Sequence, residues 1–274
     1  MGYLVGLIAA LCVAVIAFGG MDPISFTVVQ ATVWVLAAVA LWREESGKLL
    51  GDPATKWIAL LLAYVAFQWA VVTESPPEVR DAFLLWVTYV CVFYLAFLVS
   101  RDTKLRQRLV LSLLALGLAE SLYGLVQYLV SFPYVLSYRN PFYANRATGT
   151  FINPNHFSGL LEMVLPFGFG LVLYQLERLK NASRGRRKEP GEHTLRLVFY
   201  FFLSLLVFLG ILFSRSRLGI FSAQAAVLAM FVLWTTASWR RSRAIPVLLA
   251  FVLGARRLRP LARPGAGRAA LRNP

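Results

Sequence analysis

The chain has 274 residues, 58% of them hydrophobic, with a mean hydropathy of +0.64. A soluble domain holds roughly 45–50% apolar residues, and apolar runs long enough to cross a ~30 Å hydrocarbon core recur along the whole sequence, which excludes an ordinary soluble domain carrying one anchor. The net charge of +15 would suggest a nucleic-acid ligand in a soluble protein, but the basic residues lie in the gaps between apolar runs, where membrane topology accounts for them and no nucleic-acid partner is implied.

Eight full spans are predicted, at 3–19, 25–42, 57–73, 82–99, 109–132, 155–175, 197–213 and 218–239. A short ninth apolar segment follows at 244–254. The predicted fold class is all-α, a polytopic membrane helical bundle. The first run has no basic leader and no small-residue cleavage site, so it is expected to be a retained span and not a signal peptide. Cys12 and Cys91 both fall inside spans and read as small buried hydrophobes, neither a disulfide nor a metal pair. No repeat and no soluble domain is apparent. The expected organisation is a membrane domain over 1–243, with its motif-bearing part at 109–239, and a separate tail at 244–274.

Orientation follows from Lys and Arg. Alternate connections, starting with 43–56, hold 17 basic residues, against 5 in the other set. The positive-inside rule places the first set and the N-terminus in the cytoplasm. Residues 133–154 and 214–217 then face outward.

Both of those outer loops break the charge trend. The first carries Arg139 and Arg146, the second Arg215 and Arg217, and neither contains Lys, Asp or Glu. Arginine presents a planar fork of donors suited to phosphate. Anion binding is one reading. Anchoring to lipid headgroups, or pairing with Asp22, Glu74, Glu78 or Asp81 in the other outer loops, is the second.

The stretch "RATGTFINPNHFSGLLE" (146–162) sits beside one of these loops. Its Asn-Pro-Asn step suits a helix start, with Asn153 or Asn155 as cap and Pro154 in the first turn. Helix N-termini favour phosphate through partial positive charge and free N–H groups. A second span starts near Leu218, just after Arg215 and Arg217. Gly149 allows a turn or a close approach. Glu120 lies well inside the fifth span, where a carboxylate is costly and is a functional candidate by default; a bond to Tyr123 or to another span is the structural alternative. Glu162 lies two turns into the sixth span, placed to orient an arginine or to meet a sugar. Pro166, with Gly168 and Gly170, predicts a kink or close helix packing. Trp42, Trp57, Tyr134, Tyr138 and Trp239 read as interface anchors.

"RATGTFINPNHFSGLLEMVLP" (146–166), followed by "FSRSRLGIFSA" (213–223), resembles the O-antigen ligase and polymerase family, the ligase-related membrane glycosyltransferases. The similarity in span pattern covers roughly residues 55–240. The resemblance implies transfer of a glycan from undecaprenyl pyrophosphate to an acceptor, lipid A–core or a growing polysaccharide, at the outer face of a bacterial inner membrane. It implies no cofactor and no metal. Its partners would be the carrier-linked glycan, a lipid or saccharide acceptor, and membrane lipids. Arg146, Arg215 and Arg217 would hold the carrier pyrophosphate, and Asn153 and Asn155 would shape the helix start. Glu162 is the candidate catalytic group among the spans.

Members of that family usually have ten or more spans and a large outer loop bearing a catalytic His and a further Arg. No such loop occurs before Pro274. His156 does not match that position, and His193 lies in a cytoplasmic loop. The last twenty residues, "ARRLRPLARPGAGRAALRNP", contain six Arg and no acid. They read as a frameshift near codon 254, or otherwise as a basic cytoplasmic tail. The competing functions are a transporter or flippase for a lipid-linked or anionic solute, and an inactive truncated copy.

Overall fold

The computed structural model describes residues 1–43, 53–72, 76–140, 142–143, 145–181 and 190–239. The proposed tail boundary at 243/244 and the tail itself lie outside them, as do Glu74 and most of the basic connector after Asn181. The chain divides into two compact units, 1–227 and 228–274. Among the described residues there are eight helices and one small hairpin. The helices are α1 (Gly2–Ile16), α2 (Pro23–Arg43), α3 (Pro53–Phe67), α4 (Pro76–Arg101), α5 (Thr103–Leu129), α6 (Pro154–Asn181), α7 (Pro190–Ser214) and α8 (Arg217–Trp239). The hairpin pairs β1 (Tyr134–Val135) with β2 (Tyr138–Arg139), antiparallel.

Helices α2, α4, α5, α6, α7 and α8 are each long and apolar enough to cross a membrane, as a multi-pass membrane protein requires. The expectation of eight full spans is met for these six. Helix α1 ends at Ile16, short of the expected Gly19, because Phe18, Gly19 and Gly20 all take left-handed backbone angles that no α-helix can continue. Helix α3 runs into a single π-helical segment, Gln68–Val72, and its apolar part is likewise shorter than a full span.

The helix starts follow local chemistry. Five of the eight begin at proline, whose fixed φ suits a first turn and whose missing N–H is no loss there. Asp102 caps α5 by accepting from the backbone N–H groups of Lys104 and Leu105. Asp22 accepts from Ser25 N–H at 2.8 Å at the start of α2.

Two apolar clusters hold unit 1 together. Leu4, Leu7 and Ala10 of α1 meet Val29, Val33, Ala37 and Ala40 of α2, with Leu95 and Val99 of α4. Their spacing of three and four residues puts each set on one helix face. The second cluster joins α5, α6 and α7 through Leu114, Phe157, Leu161, Val164, Val207 and Ile211. Outward-facing residues such as Val35, Phe202 and Phe221 stay apolar and exposed, which suits a lipid-facing surface and not a watery one.

Lipid supplies little hydrophobic drive between helices, so small residues and polar bonds set the crossings. A Cβ on Gly117 would strike Val164, one on Gly168 would strike Ser204, and one on Gly210 would strike Ser121. Ser121 Oγ donates to Leu206 O at 2.6 Å, tying α5 to α7. Gln30 and Trp34 of α2 both donate to Thr88 Oγ1 of α4, at 3.2 and 3.0 Å. The cysteines are free, and each is partly rather than fully buried. Trp42 and Trp57 are exposed near helix ends. In the second unit, Phe231 and Trp234 of α8 pack ring on ring at 6.0 Å.

Candidate functional site

The polar residues of α5 recur at Glu120, Tyr123, Gln127 and Tyr128. A spacing of three and four puts the first three on one face of a helix, and that face receives the segment 130–153. Tyr123 Oη accepts from Leu136 N–H at 3.0 Å. Gln127 Nε2 donates to Tyr134 O and to Gly149 O, each at 2.9 Å. Asn140 donates from Nδ2 to Ile152 O at 2.9 Å and from its backbone to Pro133 O at 2.8 Å. Buried backbone groups need partners, and these side chains supply them to an irregular segment.

Glu120 is 4% exposed. Its Oε2 accepts from Thr150 N–H at 2.9 Å, and its Oε1 lies 2.9 Å from Thr150 Oγ1. Its partner is therefore the loop residue Thr150, and not Tyr123. Gly149 takes φ +58, and a Cβ there would strike both Glu120 and the Phe157 ring. Its glycine serves an inward close approach: the residue is buried, so its role in a binding site is to shape the loop.

The loop then enters α6. Asn153 Oδ1 accepts from Asn155 N–H at 2.9 Å, and its carbonyl accepts from His156 and Phe157. Asn153 is thus the cap, Pro154 opens the helix, and Asn155 is exposed. His156 is exposed too. His193 bonds through Nδ1 to Gln175 Oε1 at 3.0 Å, far along the chain from the loop.

The connection between α7 and α8 is equally specified. Ser214 Oγ donates to Ile211 O at 2.6 Å and accepts from Ser216 N–H at 3.1 Å. Ser216 caps α8, its Oγ accepting from Gly219 N–H at 3.3 Å. Between the two serines Arg215 takes φ +54, a conformation costing a non-glycine residue about 1–2 kcal/mol. Its guanidinium donates to Tyr128 Oη at 3.3 Å and lies 5.6 Å from that ring's centroid. Tyr128 in turn packs on Phe213 at 4.6 Å.

The two arginine-bearing stretches meet. Ala147 N–H donates to Phe213 O at 3.0 Å. Arg146 stacks over Tyr143 at 5.8 Å. Among the described residues none of Arg139, Arg146, Arg215 and Arg217 forms an ion pair. Asp81 pairs with its neighbour Arg80 at 2.9 Å, and Asp22 caps α2. The alternative reading, in which these arginines pair with acids of other loops, is not met among the described residues by Asp22, Glu78 or Asp81.

An open cleft of about 320 Å³ lies beside this junction, lined by Asn155, Glu162, Ser216, Arg217, Leu218 and Gly219. The first turns of α6 and α8 therefore flank one space. Glu162 Oε2 and Ser158 Oγ are buried and, among the described residues, have no hydrogen-bond partner. Ser158 sits where a Cβ on Gly219 would go, so α6 and α8 touch at that point. Pro166 cannot donate to the Glu162 carbonyl one turn before it. The cleft thus combines the Arg217 side chain, two helix starts and the Glu162 carboxyl group, with Arg146 and Arg215 on the two stretches joined at Ala147 and Phe213. Guanidinium groups and helix starts of this kind are chemically suited to an oxyanion. Among the described residues no cluster of His, Cys, Asp and Glu is suited to a metal ion.

Arg146, Arg215, Arg217, Asn153 and Asn155 are all drawn to this end of the bundle. Tyr128, Gln127, Thr150 and Ser216 support them and were not singled out from the sequence. The spacing of Glu120, Tyr123 and Gln127 is the signal that points to the supporting face. The chain matches no protein-family model, no curated protein and no solved structure.

Proposed function

We propose that this is a multi-pass protein of a bacterial inner membrane that takes a glycan from undecaprenyl pyrophosphate and transfers it to an acceptor at the outer face. The observation that carries this is the junction of residues 146–147 with 213–217, where arginines from two distant stretches come together and, among the described residues, form no ion pair. An anion is the natural occupant. A lipid pyrophosphate fits a site made of exposed guanidinium groups and two helix starts.

In the transfer, an acceptor hydroxyl oxygen bonds to the anomeric carbon of the glycan. The bond from that carbon to the pyrophosphate oxygen breaks, and the pyrophosphate leaves on its lipid. Arg146, Arg215 and Arg217 stabilise the charge that develops on it. The hydroxyl proton goes to a base, for which Glu162, the carboxylate that lines the cleft, is the assigned group. No metal or nucleotide is called for, because the leaving group is already activated.

Transport of a lipid-linked or anionic solute is the alternative. A carboxylate inside a span, here Glu120, is the feature that favours it, and both oxygens of Glu120 are engaged by Thr150. A cellular experiment separates the two. In cells dependent on this protein, R215A/R217A is expected to insert normally and to leave carrier-linked glycan accumulating on the outer side of the membrane. Accumulation on the inner side would sink the transfer function and favour a flippase.

A further inference from the structure

Thr150 Oγ1 lies 2.8 Å from the carbonyl oxygen of Val15 and 2.9 Å from Glu120 Oε1. Both are hydrogen-bond distances between oxygens, so each needs a proton. A hydroxyl has one proton and a carbonyl has none. The Thr150 proton therefore points to Val15. With that proton directed at Val15 and not shared, the second contact takes its proton from Glu120. Oε1 is then a donor, while Oε2 accepts from Thr150 N–H at 2.9 Å. One oxygen donating and one accepting is the pattern of a neutral carboxylic acid.

The surroundings agree. Glu120 faces the end of α1 at Val15, the loop at Gly149 and Thr150, and lies beside the Phe157 ring of α6. Among the described residues, no charged side chain pairs with it. An ionised carboxylate buried without a countercharge is strongly disfavoured. We propose that Glu120 is a neutral positioning residue: it ties α5 to Thr150, and through Thr150 to α1, so fixing the loop that carries Arg146 and leads to Asn153. None of this depends on the glycan-transfer function.

The test uses the full chain in lipid nanodiscs with two variants, E120Q and E120L. Glutamine is the isostere of the neutral acid: its oxygen accepts from Thr150 N–H and its amide donates to Thr150 Oγ1. Leucine offers neither bond. Infrared spectra at neutral pH should show a protonated carboxyl C=O band in the wild type that is missing from E120Q. E120Q should keep the wild-type melting midpoint and the slow hydrogen exchange of the Thr150 amide. E120L should melt a few degrees lower and lose that protection. A wild type without the acid band, an E120Q that behaves as E120L does, or an E120L indistinguishable from the wild type would each overturn the proposal.

Discussion

The backbone N–H of Ala147 donates to the carbonyl of Phe213 across 3.0 Å, so Arg146 and Arg215 each lie within two residues of a single hydrogen bond. That bond joins segments more than sixty residues apart in sequence. Replacing Ala147 with proline removes the donor and leaves Phe213 O short of a partner. The expected cost is about 2 kcal/mol or more, read as a lower melting midpoint, and anion binding should weaken with it. A stable A147P that binds anions normally would show the junction to be incidental.

Tyr128 supports Arg215 mainly through its ring. The bond from the guanidinium to Tyr128 Oη is long, at 3.3 Å, while the ring lies 5.6 Å below the charge. Y128F should therefore bind a lipid pyrophosphate nearly as well as the wild type. Y128L should lose the cation–π contribution of about 0.5–1 kcal/mol, a two- to fivefold weaker affinity. Equal losses in the two variants would mean that the hydroxyl, not the ring, holds the arginine.

Gly149 has neither the backbone conformation nor the space for a side chain. G149A should destabilise the protein by about 2 kcal/mol or more, from left-handed strain and overpacking together. The readout is thermal melting in detergent. A wild-type midpoint would show that the loop relaxes freely and is not pinned between Glu120 and Phe157.

At the start of α5 a pH effect is expected. The backbone N–H of Leu105, and then that of Lys104, hold the Asp102 carboxyl below the usual carboxylate range. A depressed folded-state value means the cap is fully present above the ordinary Asp pKa and is lost as pH falls through the folded one. Hydrogen exchange at Lys104 and Leu105 should therefore quicken on acidification. D102N caps without titrating and should flatten that dependence; an unchanged pH profile in D102N would contradict the assignment.

How much of this was readable beforehand varies with the physics. Helix positions were legible because apolar runs, proline starts and the Asn153 cap are local signals. Helix α1 ends three residues before the expected limit: Gly19 and Gly20 mark a turn, but the apolar Phe18 carries no sign of its own left-handed backbone. The arginine loops were legible as charges that depart from the positive-inside pattern of the sequence. Their meeting was not, since no local pattern encodes the bond from Ala147 to Phe213. Tyr128 was hidden for a related reason. As an aromatic near a span end it looks like any interface anchor, and only the fold sets it under Arg215.

The most direct test of the central claim is binding of undecaprenyl pyrophosphate to the full chain in nanodiscs, with undecaprenol as the uncharged control. Charge-assisted hydrogen bonds contribute about 1.5–3 kcal/mol each, so the pyrophosphate should bind at least roughly tenfold tighter than the alcohol. R215A/R217A should erase that preference while leaving the melting midpoint unchanged. Equal affinity of the wild type for pyrophosphate and alcohol, or a preference untouched in R215A/R217A, would contradict an anion site at the junction of α6, α7 and α8.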